Sequence, residues 1–82
     1  MTMTADIIAD AELDCVGLYC PVPIAQTRKK IDEIDAGQIL KVTADDPAAE
    51  EDIPRWAKRT GHEILRFEKD GLQLTFYIQK KK

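Results

Sequence analysis

Cys20 is followed directly by Pro21, Val22 and Pro23. A helix-compatible apolar pattern starts just after Cys20, which predicts Cys20 at the helix N-cap, Pro21 at the first helical position and Pro23 at the third. The first four N–H groups of a helix have no partner inside it. Proline gives up a donor that is orphaned anyway and sets the entry angle of the chain. The N–H groups left near the sulfur are then those of Val22 and Ile24. The positive end of the helix dipole adds to them. A thiolate, or the terminal sulfur of a persulfide, is an anion and is favoured in that place. The thiol pKa is therefore expected to fall. Pro21, Val22, Pro23 and Ile24 are the residues expected to shape the site. The competing reading is a structural cysteine buried beside a proline-started helix.

The rest of the chain narrows the chemistry. Its second cysteine, Cys15, lies five positions before Cys20. No Cys-x-x-Cys is present, which disfavours a thioredoxin-like redox pair. The single histidine, His62, is far from both cysteines in sequence. A structural zinc site needs about four ligands at suitable spacing, and none is laid out here. A cysteine hydrolase needs a base within hydrogen-bond reach and a cleft. A nucleophilic thiol with neither suits a carrier, which receives a group from one protein and hands it to another. No cofactor and no metal is expected.

The chain has 82 residues, 44% of them hydrophobic and 33% charged, which fits one globular domain over residues 1–82. Residues 1–6 and 80–82 are expected as flexible ends. A domain of this size buries roughly 60–65% of the surface its unfolded chain exposes. That allows one core and no deep cleft between domains. Apolar runs are too short to span a membrane. The first ten residues lack the basic start and apolar stretch of a signal peptide, so a cytoplasmic protein without a membrane partner is expected. The net charge of −3 argues against a surface given over to nucleic acid. Basic residues still gather at Arg28-Lys29-Lys30, at Arg55, Lys58 and Arg59, and at Lys80-Lys81-Lys82. Such patches suit an acidic partner or an RNA backbone, and more often are solvated faces.

These residues must be positioned by a small set of elements. Ile7 to Leu13 is the expected first strand. Ile24, Thr27, Ile31 and Ile34 make the apolar stripe of a helix that Gly37 should stop. Gln38 to Ala44 alternates as a second strand, with Leu40, Val42 and Ala44 on one face. Asp46 and Pro47 suit the start of a second helix. Its inner face is Ala49, Ile53, Trp56, Ala57 and Thr60, with Trp56 as core filler. Pro54 should either kink that helix or mark its real start with Asp52 as cap. Gly61 closes it. His62 to Lys69 is a third strand, Asp70-Gly71 a two-residue hairpin signal, and Leu72, Leu74, Phe76 and Ile78 the buried side of a fourth strand. The order βαβαββ predicts an α+β fold. It is a two-layer α/β sandwich with two helices on one face of a four-stranded mixed sheet.

The chain resembles the TusA-type (SirA-like) sulfur-carrier family. The resemblance runs from Leu13 to Lys80. It rests on Leu13-Asp14, Gly17-Leu18, Cys20-Pro21-Val22-Pro23, Ala44-Asp45-Asp46-Pro47, Asp52-Ile53-Pro54, Gly61-His62-Glu63 and Asp70-Gly71. It implies the same βαβαββ fold. It also implies a sulfurtransferase-type carrier that accepts sulfane sulfur as a persulfide on Cys20 and relays it to an acceptor protein. The donor implied is a cysteine desulfurase or a rhodanese-like protein. The route can end in tRNA thiolation, through tRNA-modifying machinery, or in another sulfur pathway. Arg28 and Asp46 stand at positions that contact partners in similar proteins. The chain departs from the family at Val16, where many members carry Arg, and at Val22, where Glu or another polar residue is common. Cys15 is outside the family motif and is either inert or a second thiol that resolves a persulfide. Two other functions stay open at this point: a non-enzymatic regulatory or protein-interaction module, and a small thiol redox protein using Cys15 and Cys20.

Overall fold

The computed structural model describes residues 8–19 and 22–81. Its elements run β1 Ala11–Cys15, α1 Val22–Ile31, β2 Ile39–Ala44, α2 Ala49–Thr60, β3 Glu63–Asp70 and β4 Gln73–Gln79. One four-stranded sheet has the order β1-β2-β4-β3. β1 and β2 are parallel, and β4 pairs antiparallel with both β2 and β3. This is the α+β fold with βαβαββ order that the alternation of strand and helix patterns predicted.

Register explains where the core lies. Side chains of directly paired residues share a sheet face. Three rows therefore cross one face: Ala11–Leu40–Ile78–Ile64, Leu13–Val42–Phe76–Phe67 and Cys15–Ala44–Leu74–Lys69. Leu40, Val42, Ala44, Leu74, Phe76 and Ile78 are buried there. Ile31 and Ile34, with Ala49, Ile53, Trp56 and Ala57 of α2, close over them in one hydrophobic cluster. The opposite face stays polar, with Glu12, Lys41, Thr43 and Glu68, and the Lys41 ammonium lies 5.9 Å from the Tyr77 ring centroid.

Several boundaries differ from the sequence expectation. The first strand is Ala11–Cys15 rather than Ile7–Leu13. Asp10 brackets its start: its N–H donates to the Ile39 carbonyl and its carboxylate accepts the Ile39 N–H, each at 2.8 Å. Pairing with β2 thus starts the strand four residues later and ends it two residues later, and Ile7 lies outside the described residues. α1 ends at Ile31, well before Gly37. Ile34 still reaches the core through tightened turns, its N–H donating to the Ile31 carbonyl at 3.4 Å. Gly37 instead serves a separate turn at φ +92° and donates to the Lys80 carbonyl.

α2 runs unbroken through Pro54, so neither the start at Pro54 nor the Asp52 cap is realised. The lead-in is a turn over Pro47 and Ala48. There the Asp46 carboxylate accepts the Ala48 N–H at 3.2 Å and the Asp46 carbonyl accepts the Ala49 N–H at 2.9 Å. Gly61 ends the helix in the left-handed region, as expected, with its N–H directed to the Ala57 and Lys58 carbonyls. In the hairpin, Asp70 pairs with Gln73, so the loop residues are Gly71 and Leu72 rather than Asp70 and Gly71. Gly71 takes φ +62° as the first loop residue, the glycine position of a II′ turn, whose twist matches that of the strands. Leu72, expected on the buried side, is 75% exposed at the loop tip.

The expected flexible end at 80–82 is tied down as far as it is described. Lys80 Nζ donates to the Ile34 carbonyl at 2.7 Å, and the Lys81 N–H donates to His62 Nδ1 at 3.2 Å. The expected flexible segment 1–6, like Lys82, lies outside the described residues.

Phe76 is fully buried at the centre of the middle row and packs 4.9 Å from Phe67, ring centre to ring centre. Phe76→Ala should cost about 3–5 kcal/mol in urea unfolding, because the cavity would open at a fully buried position in the middle row of the core face. Lys58→Ala on the exposed side of α2 should stay within about 0.5 kcal/mol of the parent in the same measurement.

Candidate functional site

Cys20 and Pro21 lie outside the described residues, so the expected N-cap cysteine and first-turn proline are approached from their neighbours. β1 ends in the core at Cys15. The chain then turns sharply: Gly17 takes φ +88° and the Leu18 N–H donates to the Cys15 carbonyl at 3.1 Å. Such a φ is costly for residues with a Cβ, which is why glycine stands there. The Asp14 carboxylate accepts the Val16 N–H at 2.9 Å. The Gly17 N–H donates to the Asp45 carboxylate, also at 2.9 Å. That bond joins the loop leading to Cys20 to the loop between β2 and α2.

On the far side, Val22 is the first described residue of α1 and Pro23 the next, buried against the core. The Val22 N–H donates to the Tyr19 carbonyl at 2.8 Å, across the two residues between them. This corrects one expectation. The sequence offered the Val22 and Ile24 N–H groups as donors toward the sulfur, and Val22 spends its N–H on Tyr19. Ile24 is half-buried one position beyond Pro23. The first turn of α1 carries no acidic side chain, whereas that of α2 carries Glu50, Glu51 and Asp52. The positive end of the α1 dipole is therefore not offset by an acid of its own first turn.

The two cysteines are in different situations. Cys15 is free and fully buried. Burial pushes its thiol pKa up, and the neighbouring Asp14 carboxylate pushes it further. Around Cys20, by contrast, Val16, Tyr19 and Val22 are exposed at 47%, 68% and 39%, an apolar collar within four positions of it in sequence.

The two positions expected to meet partners also differ. Arg28 is exposed and makes no ion pair among the described residues. Asp46 is only 8% exposed, its side chain engaged in the turn that starts α2. Sequence reasoning missed the Asp45 contact to Gly17. Asp45 is one of two adjacent acids, and only the parallel pairing of β1 with β2 brings it to Gly17.

Among the described residues, no group of three or more His, Cys, Asp or Glu is arranged to hold a metal ion. Among the same residues, no helix is long and apolar enough to cross a membrane.

Residues 11–80 match the family described as Sulfurtransferase TusA. A relative from Archaeoglobus fulgidus is 50% identical over 70 residues, covering 83% of this chain and 90% of that protein. The sulfur carrier protein TusA of Pseudomonas syringae pv. syringae is 38% identical over 76 residues, covering 93% of this chain and 90% of its own. The crystal structure of a SirA-like protein from Desulfitobacterium hafniense superposes with a TM-score of 0.75 at 23% identity. It covers 88% of this chain and 99% of that one, a likeness of fold. A cysteine that lies in sequence between β1 and α1 of this fold thus comes with a sequence match over nearly the whole chain, and the chain belongs to the TusA sulfurtransferase family.

Proposed function

We propose that this chain is a sulfur carrier that takes up sulfane sulfur on Cys20 and relays it to an acceptor protein. The observation that carries the assignment to Cys20 is the state of Cys15. The chain has two cysteines, and Cys15 is sealed in the core with its thiol pKa raised. In a family of sulfurtransferases the chemistry then falls to the other.

The transfer balances without an external oxidant. The Cys20 thiolate attacks the outer sulfur of a donor persulfide. A new S–S bond forms on Cys20, the donor's S–S bond breaks, and the donor leaves as a thiolate. An acceptor thiolate then takes the outer sulfur from Cys20 in the same way, and Cys20 leaves as a thiolate. Each step exchanges one S–S bond for another. An anion at Cys20 is favoured by the open positive end of α1, with Ile24 as the backbone donor that the reading keeps. Pro21 and Pro23 set the angle at which the helix begins.

The apolar collar of Val16, Tyr19 and Val22 supports transfer between protein surfaces rather than in a pocket. Arg28, two turns along α1, is read as a docking residue for an acidic rim of donor or acceptor. Asp46 acts one step removed, by holding the α2 entry turn beside Asp45 and hence the Gly17 turn. The donor is read as a cysteine desulfurase or rhodanese-like protein. The acceptor is read as a further sulfur-relay protein, with tRNA-modifying machinery as one end of the route, in the cytoplasm. A Cys15–Cys20 redox couple is disfavoured, since Cys15 has no exposed surface. Its raised thiol pKa means that its contribution to stability is whole below the ordinary thiol range and is lost as pH rises through the raised value.

Intact-mass spectrometry after incubation with a cysteine desulfurase and cysteine tests the assignment. The parent chain should gain about 32 Da, one sulfur atom, and Cys20→Ser should gain none while unfolding within about 1 kcal/mol of the parent. Cys15→Ala should still load. Loading of Cys20→Ser, or its loss in a folded Cys15→Ala, would move the chemistry to Cys15. Arg28→Glu should slow transfer roughly 3–10-fold at low salt, and the gap should close as salt rises. Alkylation of Cys20 by iodoacetamide should be unchanged in that variant; a drop would make Arg28 a group that tunes the thiol instead.

A further inference from the structure

α1 and α2 leave a cleft of about 170 Å³ between them, lined by Ile24, Asp52, Arg55, Trp56 and Arg59. The last four stand at i, i+3, i+4 and i+7 of α2 and so form one stripe. Ile24 faces them from the first turn of α1, beside the loop that carries Cys20. Two of its lining residues, Trp56 and Arg59, carry donors without an acceptor among the described residues. Trp56 is 3% exposed, and its indole N–H is buried without a hydrogen-bond partner. Buried donors are nearly always paired, so an unpaired one on a residue that lines a cleft asks for an explanation. Arg59 is exposed and makes no ion pair among the described residues. Arg55 has the only anion in the cleft, Asp52, at 3.8 Å, and Glu51 at 3.7 Å. Sulfur exchange on Cys20 uses none of these groups.

We propose that this cleft receives a carboxylate side chain, an Asp or Glu of the protein that docks over the Cys20 loop. Arg59 is its main donor, with Arg55 beside it and the Trp56 N–H behind. The planar guanidinium fork matches a carboxylate better than a lysine ammonium does. Size points to the same occupant. Sites for small molecules run from about 300 to 1,000 Å³, and this cleft is smaller than that range, which suits one side chain. Its position does too, because a surface that reaches the thiol loop and the exposed Val22 overhangs Ile24. The identity of that protein as a sulfur donor or acceptor rests on the carrier reading; the carboxylate site does not.

The chain has one tryptophan, so its indole N–H gives a single cross-peak in a ¹⁵N spectrum. Titration with N-acetyl-tetraglutamate amide should shift that peak saturably. Arg59→Gln should weaken binding about fivefold or more, with Arg59→Lys between it and the parent, the other cross-peaks reporting an intact fold. No shift with the acidic peptide overturns the proposal. So does an equal shift with N-acetyl-tetralysine amide or with sodium phosphate at the same concentration. In persulfide transfer from a cysteine desulfurase, Arg59→Gln should raise KM about fivefold at unchanged kcat; unchanged KM overturns the docking role. A chain that binds the acidic peptide as described but takes up no sulfur would sink the carrier reading and leave the carboxylate site standing.

Discussion

Cys15 lies directly opposite Ala44 in the parallel pairing of β1 and β2, and much of the molecule follows from that register. Parallel neighbours end at the same edge of the sheet. The two loops that follow them, and the two helices that return over the sheet, therefore start from one place. The Gly17 N–H meets the Asp45 carboxylate there, across 28 positions of sequence. A slip of one residue would turn every side chain of β1 to the other face. Cys15 and Leu13 would then point to solvent, and Glu12 and Asp14 into the core. The hydrophobic effect thus sets the register, and the register sets the origin of the Cys20 loop.

Burial also divides the labour between the cysteines. Two thiols five positions apart are chemically alike in an unfolded chain. In the folded one, the first is a small core residue beside Ala44 and Leu74, kept protonated by the loss of water around it. The second comes in sequence after the glycine turn that carries the chain out of the sheet and before α1, whose first turn has no acid of its own. The glycine turn therefore separates the buried thiol from the segment that leads into α1. Exposed Val16, Tyr19 and Val22, within four positions of the second cysteine in sequence, are tolerated at some cost in solubility, which is understandable where another protein covers them.

Charge is distributed to match. The first turn of α2 is rich in acids and its last turn in bases, an arrangement that complements its own dipole. α1 has bases in its last turn and no acid in its first. The two helix starts lie at the same edge, yet one is electrostatically closed and the other open. At the sheet's outer edge, β3 carries Arg66, Glu68 and Lys69 and a bulge between Ile64 and Arg66, features that discourage pairing with another strand.

Much of this was legible in the sequence. Period-two alternation in Leu40-Val42-Ala44 and Leu74-Phe76-Ile78, the Ala49-Ile53-Trp56-Ala57 stripe and Gly61 identify elements whose faces are dictated locally, by one chain segment meeting water and oil. Cys-Pro-x-Pro likewise carries its meaning in four residues. What the sequence did not decide are matters settled by contact between distant segments. β1 begins at Ala11 because Asp10 bonds to Ile39; α1 stops at Ile31 while Ile34 still reaches the core; the hairpin loop is Gly71-Leu72 because Asp70 finds Gln73 across the ladder. The Val22 N–H goes to Tyr19, and Trp56, its N–H without a partner, lines a cleft with Arg59 and Ile24 where two helices meet. Local pattern determines which side of an element avoids water. Only the packed structure determines which atom of one element lies within 3 Å of an atom of another, and the hydrogen bonds and clefts of the site are made at that distance.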